Sequence, residues 1–119
     1  MLMLLVCGCT KEDDTKPSFI TITSEEAMKR MEEENGYLIL DVRTKEEYEE
    51  GHIEGAINIP NEVIPDEAES MLKDKGQTIY VYCRSGRRSK ESCKKLCELG
   101  FSNIIDFGGI IDWKGEIVK

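Results

Sequence analysis

The sequence predicts a three-layer α/β protein, a five-stranded parallel sheet with helices on both faces. Three features predict it. Short apolar or β-branched runs alternate with stretches of helical periodicity from Phe19 onward. Two of these runs, Tyr37-Leu38-Ile39-Leu40 and Thr78-Ile79-Tyr80-Val81-Tyr82, have the unbroken character of strands covered on both faces. Thr23 to Glu26 and Thr44 to Glu47 carry the Thr-x-x-Glu spacing of a capping box, so helices open between strands. Such alternation builds a parallel sheet with crossover helices.

Phe19 to Ile22 reads as the first strand. In the helix after Thr23, Ala27, Met28 and Met31 face inward at helical spacing, and Asn35-Gly36 ends it. Tyr37 to Leu40 is the second strand. The second capping box opens a short helix that Gly51 closes. Ala56 to Ile59 is a third strand, stopped by Pro60. Asp66 to Asp74 reads as a helix with Ala68, Met71 and Leu72 inward. Thr78 to Tyr82 is the strongest strand. Arg87 to Leu99 is a helix closed by Gly100, Ile104-Ile105 mark the last strand, and Gly108-Gly109 a turn.

The chain of 119 residues suits one domain, expected over residues 17–119 and monomeric. A net charge of -8 argues against a nucleic-acid partner. The five cysteines are Cys7, Cys9, Cys83, Cys93 and Cys97, an odd count without a Cys-x-x-Cys pair. With His52 the lone histidine, neither a disulfide framework nor a structural metal is expected.

Residues 1–16 are set apart as a signal-like or tether segment. Val6-Cys7-Gly8-Cys9 resembles a bacterial lipoprotein cleavage box, which implies a lipid on Cys9 and a place in the cell envelope. The membrane would then be met only through that lipid. Against this, no basic region precedes the apolar run, which is shorter than the usual stretch of about 7–15 residues. The alternative expectation is a plain disordered tail on a cytoplasmic protein.

The chemistry concentrates in Cys83-Arg84-Ser85-Gly86-Arg87-Arg88-Ser89, between the strongest strand and a helix. Ligands of open parallel sheets bind beyond the carboxyl ends of strands. A thiol there faces the free N–H groups of a helix start, which favour its thiolate. Ser85 and Gly86 allow a tight turn whose N–H groups converge on an anion. Arg84, Arg87 and Arg88 put positive charge into an acidic chain, which fits a small anionic substrate. Arg84 and Arg88 are favoured over Arg87 as contacts, and some loop arginines should pair with helix carboxylates such as Glu91.

Several motifs together resemble the rhodanese family, from Phe19 to about Lys114. They are Asp41-Val42-Arg43 with Tyr48, Gly51-His52-Ile53-Glu54-Gly55-Ala56-Ile57-Asn58-Ile59-Pro60, the Cys83 to Ser89 loop, and Gly100-Phe101, Gly108-Gly109 and Trp113. The resemblance implies a rhodanese-like fold and a thiosulfate sulfurtransferase without metal or organic cofactor. Cys83 would take sulfane sulfur from thiosulfate or another small anionic donor as a persulfide. Cyanide or a thiol would then accept it. Related phosphatases and arsenate reductases use a longer Cys-x5-Arg loop, whereas four residues separate Cys83 from Arg88 here. Two other functions stay open: a persulfide carrier serving a partner protein, and an idle interaction module, which the intact cysteine loop opposes.

Other motif residues read mainly as structural. Asp41 and Arg43 support the fold, with electrostatic bracketing of the loop as the alternative. His52 reads as a hydrogen-bonded turn residue rather than a base. Trp113 packs the core or rims the site. Cys93 and Cys97 read as core packing, with a resolving thiol as the alternative.

Overall fold

The computed structural model describes residues 18–119. The Cys9 lipid site and the tether of residues 1–16 lie outside the described residues. The strands are β1 (Ile20–Thr21), β2 (Leu38–Asp41), β3 (His52–Ile53), β4 (Ile57–Asn58), β5 (Thr78–Cys83), β6 (Asn103–Gly109) and β7 (Ile117–Val118). The α-helices are α1 (Ser24–Glu33), α2 (Lys45–Glu50), α3 (Ile64–Met71) and α4 (Arg87–Glu98). Short 3-10 turns cover Asn61–Val63 and Ile110–Asp112.

The main sheet has five strands in the order β1-β6-β5-β2-β4, and every pairing in it is parallel. β5 is therefore the central strand, as its apolar run predicts. Alternation along it separates two cores. Ile79, Val81 and Cys83 turn toward Ile64 and Ala68 of α3 and Cys93 and Leu96 of α4. Tyr80 and Tyr82 turn to the opposite face, among Ala27 and Met31 of α1, Tyr48 of α2, and Trp113.

The structure corrects several sequence expectations. Gly108-Gly109 is no turn but the end of β6, which runs well past Ile104-Ile105. A register shift after Val81 lets Cys83 pair with Gly109. α3 starts at Ile64 and stops at Met71, short of Asp74. Its inward stripe is Ile64, Ala68 and Leu72, and Met71 is 46% exposed, because one residue before Leu72 places it on the flank. The first capping box is half made. Thr23 Oγ1 accepts the Glu26 N–H at 3.1 Å, but the Glu26 carboxylate takes Arg30. The second box is complete. β3 and β7 add an antiparallel ribbon that the sequence did not announce, His52 pairing with Val118 and Ile53 with Ile117.

A buried polar network ties β2, β5 and the turn before β3. Asp41, fully buried, accepts Arg43 Nε at 3.0 and 3.1 Å and Arg43 Nη2 at 2.6 Å. Arg43 Nη2 also donates to the Gly51 carbonyl at 2.7 Å. Tyr82 donates its hydroxyl to Asp41 at 2.6 Å and accepts the Ile53 N–H at 3.1 Å. Burial and then Asp41 push the Tyr82 phenol far above its ordinary range, so it stays a donor. Tyr82→Phe leaves the Ile53 N–H and one Asp41 lone pair without a partner. Urea unfolding should show a loss of about 1–3 kcal/mol.

Candidate active site

Cys83 ends β5, and Arg87 begins α4, so the Cys83 loop is the strand-to-helix turn that the sequence predicts. Gly86 makes the turn. Its φ of 112° lies where a side chain would be strained, and its N–H donates to Cys83 Sγ at 2.9 Å. Cys83 is 1% exposed, so its sulfur sits at the base of the loop rather than on the surface. A separate concavity runs from the start of α1 past Gly108, Ile111 and Trp113, and no residue of the Cys83 loop lines it.

The loop side chains divide. Arg84, Ser85 and Arg87 are exposed, and neither Arg84 nor Arg87 forms an ion pair among the described residues. Arg88 is bound to Glu47 of α2, Nη1 to Oε1 at 2.9 Å and Nη2 to Oε2 at 3.1 Å. Glu91, the partner suggested for a loop arginine, instead accepts Asn61 Nδ2 at 3.0 Å. Ser89 is fully buried, with its hydroxyl 2.6 Å from Asp106 Oδ1 and 3.0 Å from the Gly86 carbonyl. Its one proton goes to the carboxylate, so the structure brings Ser89 to Asp106 and not to the Cys83 sulfur. Asp41 and Arg43 are spent on each other.

Asp106 is the residue that sequence reasoning missed. It is fully buried in the middle of β6, opposite Val81 of β5. Besides Ser89, it accepts the Gly108 N–H, Thr21 Oγ1 and Lys90 Nζ, each at 3.0 Å. The available signal was a charge inside the apolar run Ile104-Ile105-Asp106-Phe107. Asp106 thereby ties β6 to the first turn of α4 and to the glycine pair under the loop. Gly108 has φ 88°, but Gly109 has an ordinary φ of -130°. Gly109 is needed for close approach instead. A Cβ there would overlap the Arg84 carbonyl oxygen and lie 2.6 Å from Ser85 Cα.

The remaining candidates are structural in their contacts. His52 Nδ1 lies 2.8 Å from the Tyr48 carbonyl, and its ring stacks on Tyr48 at 3.7 Å. Trp113 packs on Phe107 at 5.6 Å, the core-packing half of its expected role. Cys93 is fully buried, and burial, followed by Asp106, pushes its thiol far up. Burial also raises the Cys97 thiol, which donates to the Ser18 carbonyl at 3.0 Å. Both sit in the buried cluster that also holds Leu96 and Cys83. Among the described residues no cluster of three or more side chains could hold a metal ion, and no helix is long and apolar enough to cross a membrane.

Two outcomes follow from these contacts. In Gly109→Ala the new methyl forces the loop backbone away. Urea unfolding should show a loss of about 1–3 kcal/mol, with faster hydrogen exchange at the Gly86 amide. The Arg88 guanidinium, the main cause, holds the Glu47 carboxyl down at about 2. Its contribution to stability is complete above pH 4.5 and is lost as the pH falls toward about 2. Glu47→Gln should flatten the stability profile across that window, measured by urea unfolding at stepped pH.

A family model described as Rhodanese-like domain matches residues 23–116. The chain is 37% identical over 73 residues to thiosulfate sulfurtransferase PspE of Escherichia coli, covering 61% of this chain and 70% of that protein. It is 31% identical over 110 residues to putative sulfur carrier protein YrkF of Bacillus subtilis, covering 92% of this chain and 58% of that longer protein. A solved structure titled as a rhodanese with anions from E. coli superimposes with a TM-score of 0.65 at 35% identity, covering 70% of this chain and 98% of that one. The chain belongs to the rhodanese-like domain family.

Proposed function

We propose that the protein moves sulfane sulfur from thiosulfate, or another small anionic donor, through a persulfide on Cys83 to cyanide or a thiol. The observation that carries this reading is the Gly86 N–H aimed at Cys83 Sγ from 2.9 Å at the start of α4. A helix N-terminus with converging N–H groups suits a sulfur that carries negative charge before and after the first transfer. Arg84 and Arg87 stand exposed at the mouth, where their charge draws in an anion.

In the first step the Cys83 thiolate attacks the outer sulfur of thiosulfate. A Cys83 S–S bond forms, the donor S–S bond breaks, and sulfite leaves with the electron pair. The terminal sulfur of the persulfide carries the charge, and loop N–H groups stabilise it. In the second step a thiolate or cyanide attacks that terminal sulfur. The Cys83 S–S bond breaks, and the Cys83 thiolate returns. No net oxidation or reduction of the protein occurs, so the residues need no redox partner. Arg88 and Ser89 act on the loop's shape, through Glu47 and Asp106, and Asp41 and Arg43 support the strand beside it.

The similarity to a putative sulfur carrier over 92% of this chain favours a second reading, delivery of the persulfide to a partner protein with little turnover on thiosulfate. One experiment addresses both. The protein is incubated with thiosulfate, intact mass is read for one added sulfur, and cyanide is added to follow thiocyanate. Sulfurtransferase action gives both signals, and Cys83→Ala abolishes both. Mass gain with only slow thiocyanate release indicates the carrier. No mass gain, or unchanged thiocyanate from Cys83→Ala, overturns the proposal.

A further inference from the structure

The three loop arginines are not equivalent. Arg84 and Arg87 are exposed, whereas both terminal nitrogens of Arg88 rest on Glu47. Glu47 is itself held, because its Oε1 accepts the Thr44 N–H at 2.9 Å and completes the capping box of α2. A carboxylate fixed by its own helix start is thus presented to the first turn of α4. Arg88 lies two residues beyond Gly86, whose N–H reaches Cys83 Sγ. The Arg88–Glu47 pair is therefore fixed in the first turn of α4, the helix start that the sulfur faces.

We propose that Glu47 sets the charge selectivity of the Cys83 site, cancelling Arg88 so that anion capture rests on Arg84, Arg87 and the loop N–H groups. This deepens the sulfur-transfer reading and rests on it only in taking Cys83 as the reactive thiol. An anion approaching Cys83 meets the Glu47–Arg88 pair as nearly neutral. Without the carboxylate it would meet one more full positive charge. The first leaving group, sulfite, is also an anion. A site with excess positive charge would hold donor and product alike, which does nothing for the transfer step itself.

Glu47→Gln isolates the charge, because glutamine serves the capping box as glutamate does. The full chain is alkylated with iodoacetate, an anion, and with iodoacetamide, its neutral counterpart. Rates are read at the Cys83 peptide by mass spectrometry, which keeps the other cysteines out of the measurement. In Glu47→Gln the iodoacetate to iodoacetamide rate ratio should rise about two- to fivefold at low salt. The rise should vanish near about 1 M salt. Arg88→Gln, which leaves Glu47 uncancelled, should lower the ratio. Glu46→Gln, on an exposed carboxylate of the same helix, should leave it at the wild-type value. An unchanged ratio in Glu47→Gln overturns the proposal. So does an equal rise in Glu46→Gln, or an equal change in both reagents. Alkylation needs no sulfur donor, so this failure is distinct from a failure of the persulfide experiment.

Discussion

Two carboxylates with no exposure to water, Asp41 at the end of β2 and Asp106 within β6, stand on the strands on either side of β5. A buried carboxylate left unpaired costs several kcal/mol, so each must gather donors from whatever lies near. What they gather is the frame of the Cys83 loop. Asp106 takes Ser89 and Lys90 from the start of α4, the Gly108 N–H from beneath the loop, and Thr21 from the edge strand. Asp41 takes Arg43 and the hydroxyl of Tyr82, the residue before Cys83. The strand that enters the loop and the helix that leaves it are each fastened to a buried negative charge. The glycine pair then closes the gap, with Gly109 too close to the Arg84 carbonyl to carry a side chain.

The same arrangement settles which charges remain available to a ligand. Asp41 is cancelled by Arg43, Asp106 by Lys90, and Glu47 by Arg88. These pairs flank the carboxyl edge of the sheet, and among the described residues they leave Arg84 and Arg87 as the loop's positive groups without an ion pair. In a chain of net charge -8 that edge is a local reversal of sign. The positive field comes from two exposed side chains, while the polar groups behind them are neutral as sets. Under the sulfur-transfer reading proposed above, such an edge draws in an anionic donor without burying an uncompensated cation.

The sheet was legible because its signals are local. The apolar runs of β2 and β5 and the capping box at Thr44 each lie within a few residues. The Cys83 loop was legible for the same reason: thiol, glycine and helix start are contiguous. What stayed hidden joins distant parts of the chain. Arg88 and Glu47 are 41 positions apart, and Ser89 and Asp106 are 17 apart. Arg88 as a loop group and Glu47 as a cap were both visible, but nothing in either motif says that they meet. Gly109 could be read as a turn residue because glycine serves turns and close approaches equally, and only the neighbouring backbone decides between them. Met71 was misplaced because the helix ends there, so the stripe that includes Leu72 outweighed the periodicity around Met71.

Cys83 and Cys93 make the last step plain, since they are the same residue type in the same core cluster. Burial alone would make both inert. Cys93 lies inside α4, where backbone N–H groups are used within the helix, and its charged neighbour is the Asp106 carboxylate. Burial first, and then Asp106, pushes its thiol up. Cys83 lies just ahead of the same helix, where N–H groups have no partner within it, and its sulfur accepts one from Gly86. Under the proposed sulfur-transfer reading, reactivity in this domain is a property of position along α4. The side of the helix start on which a sulfur falls decides whether it meets donors or a carboxylate.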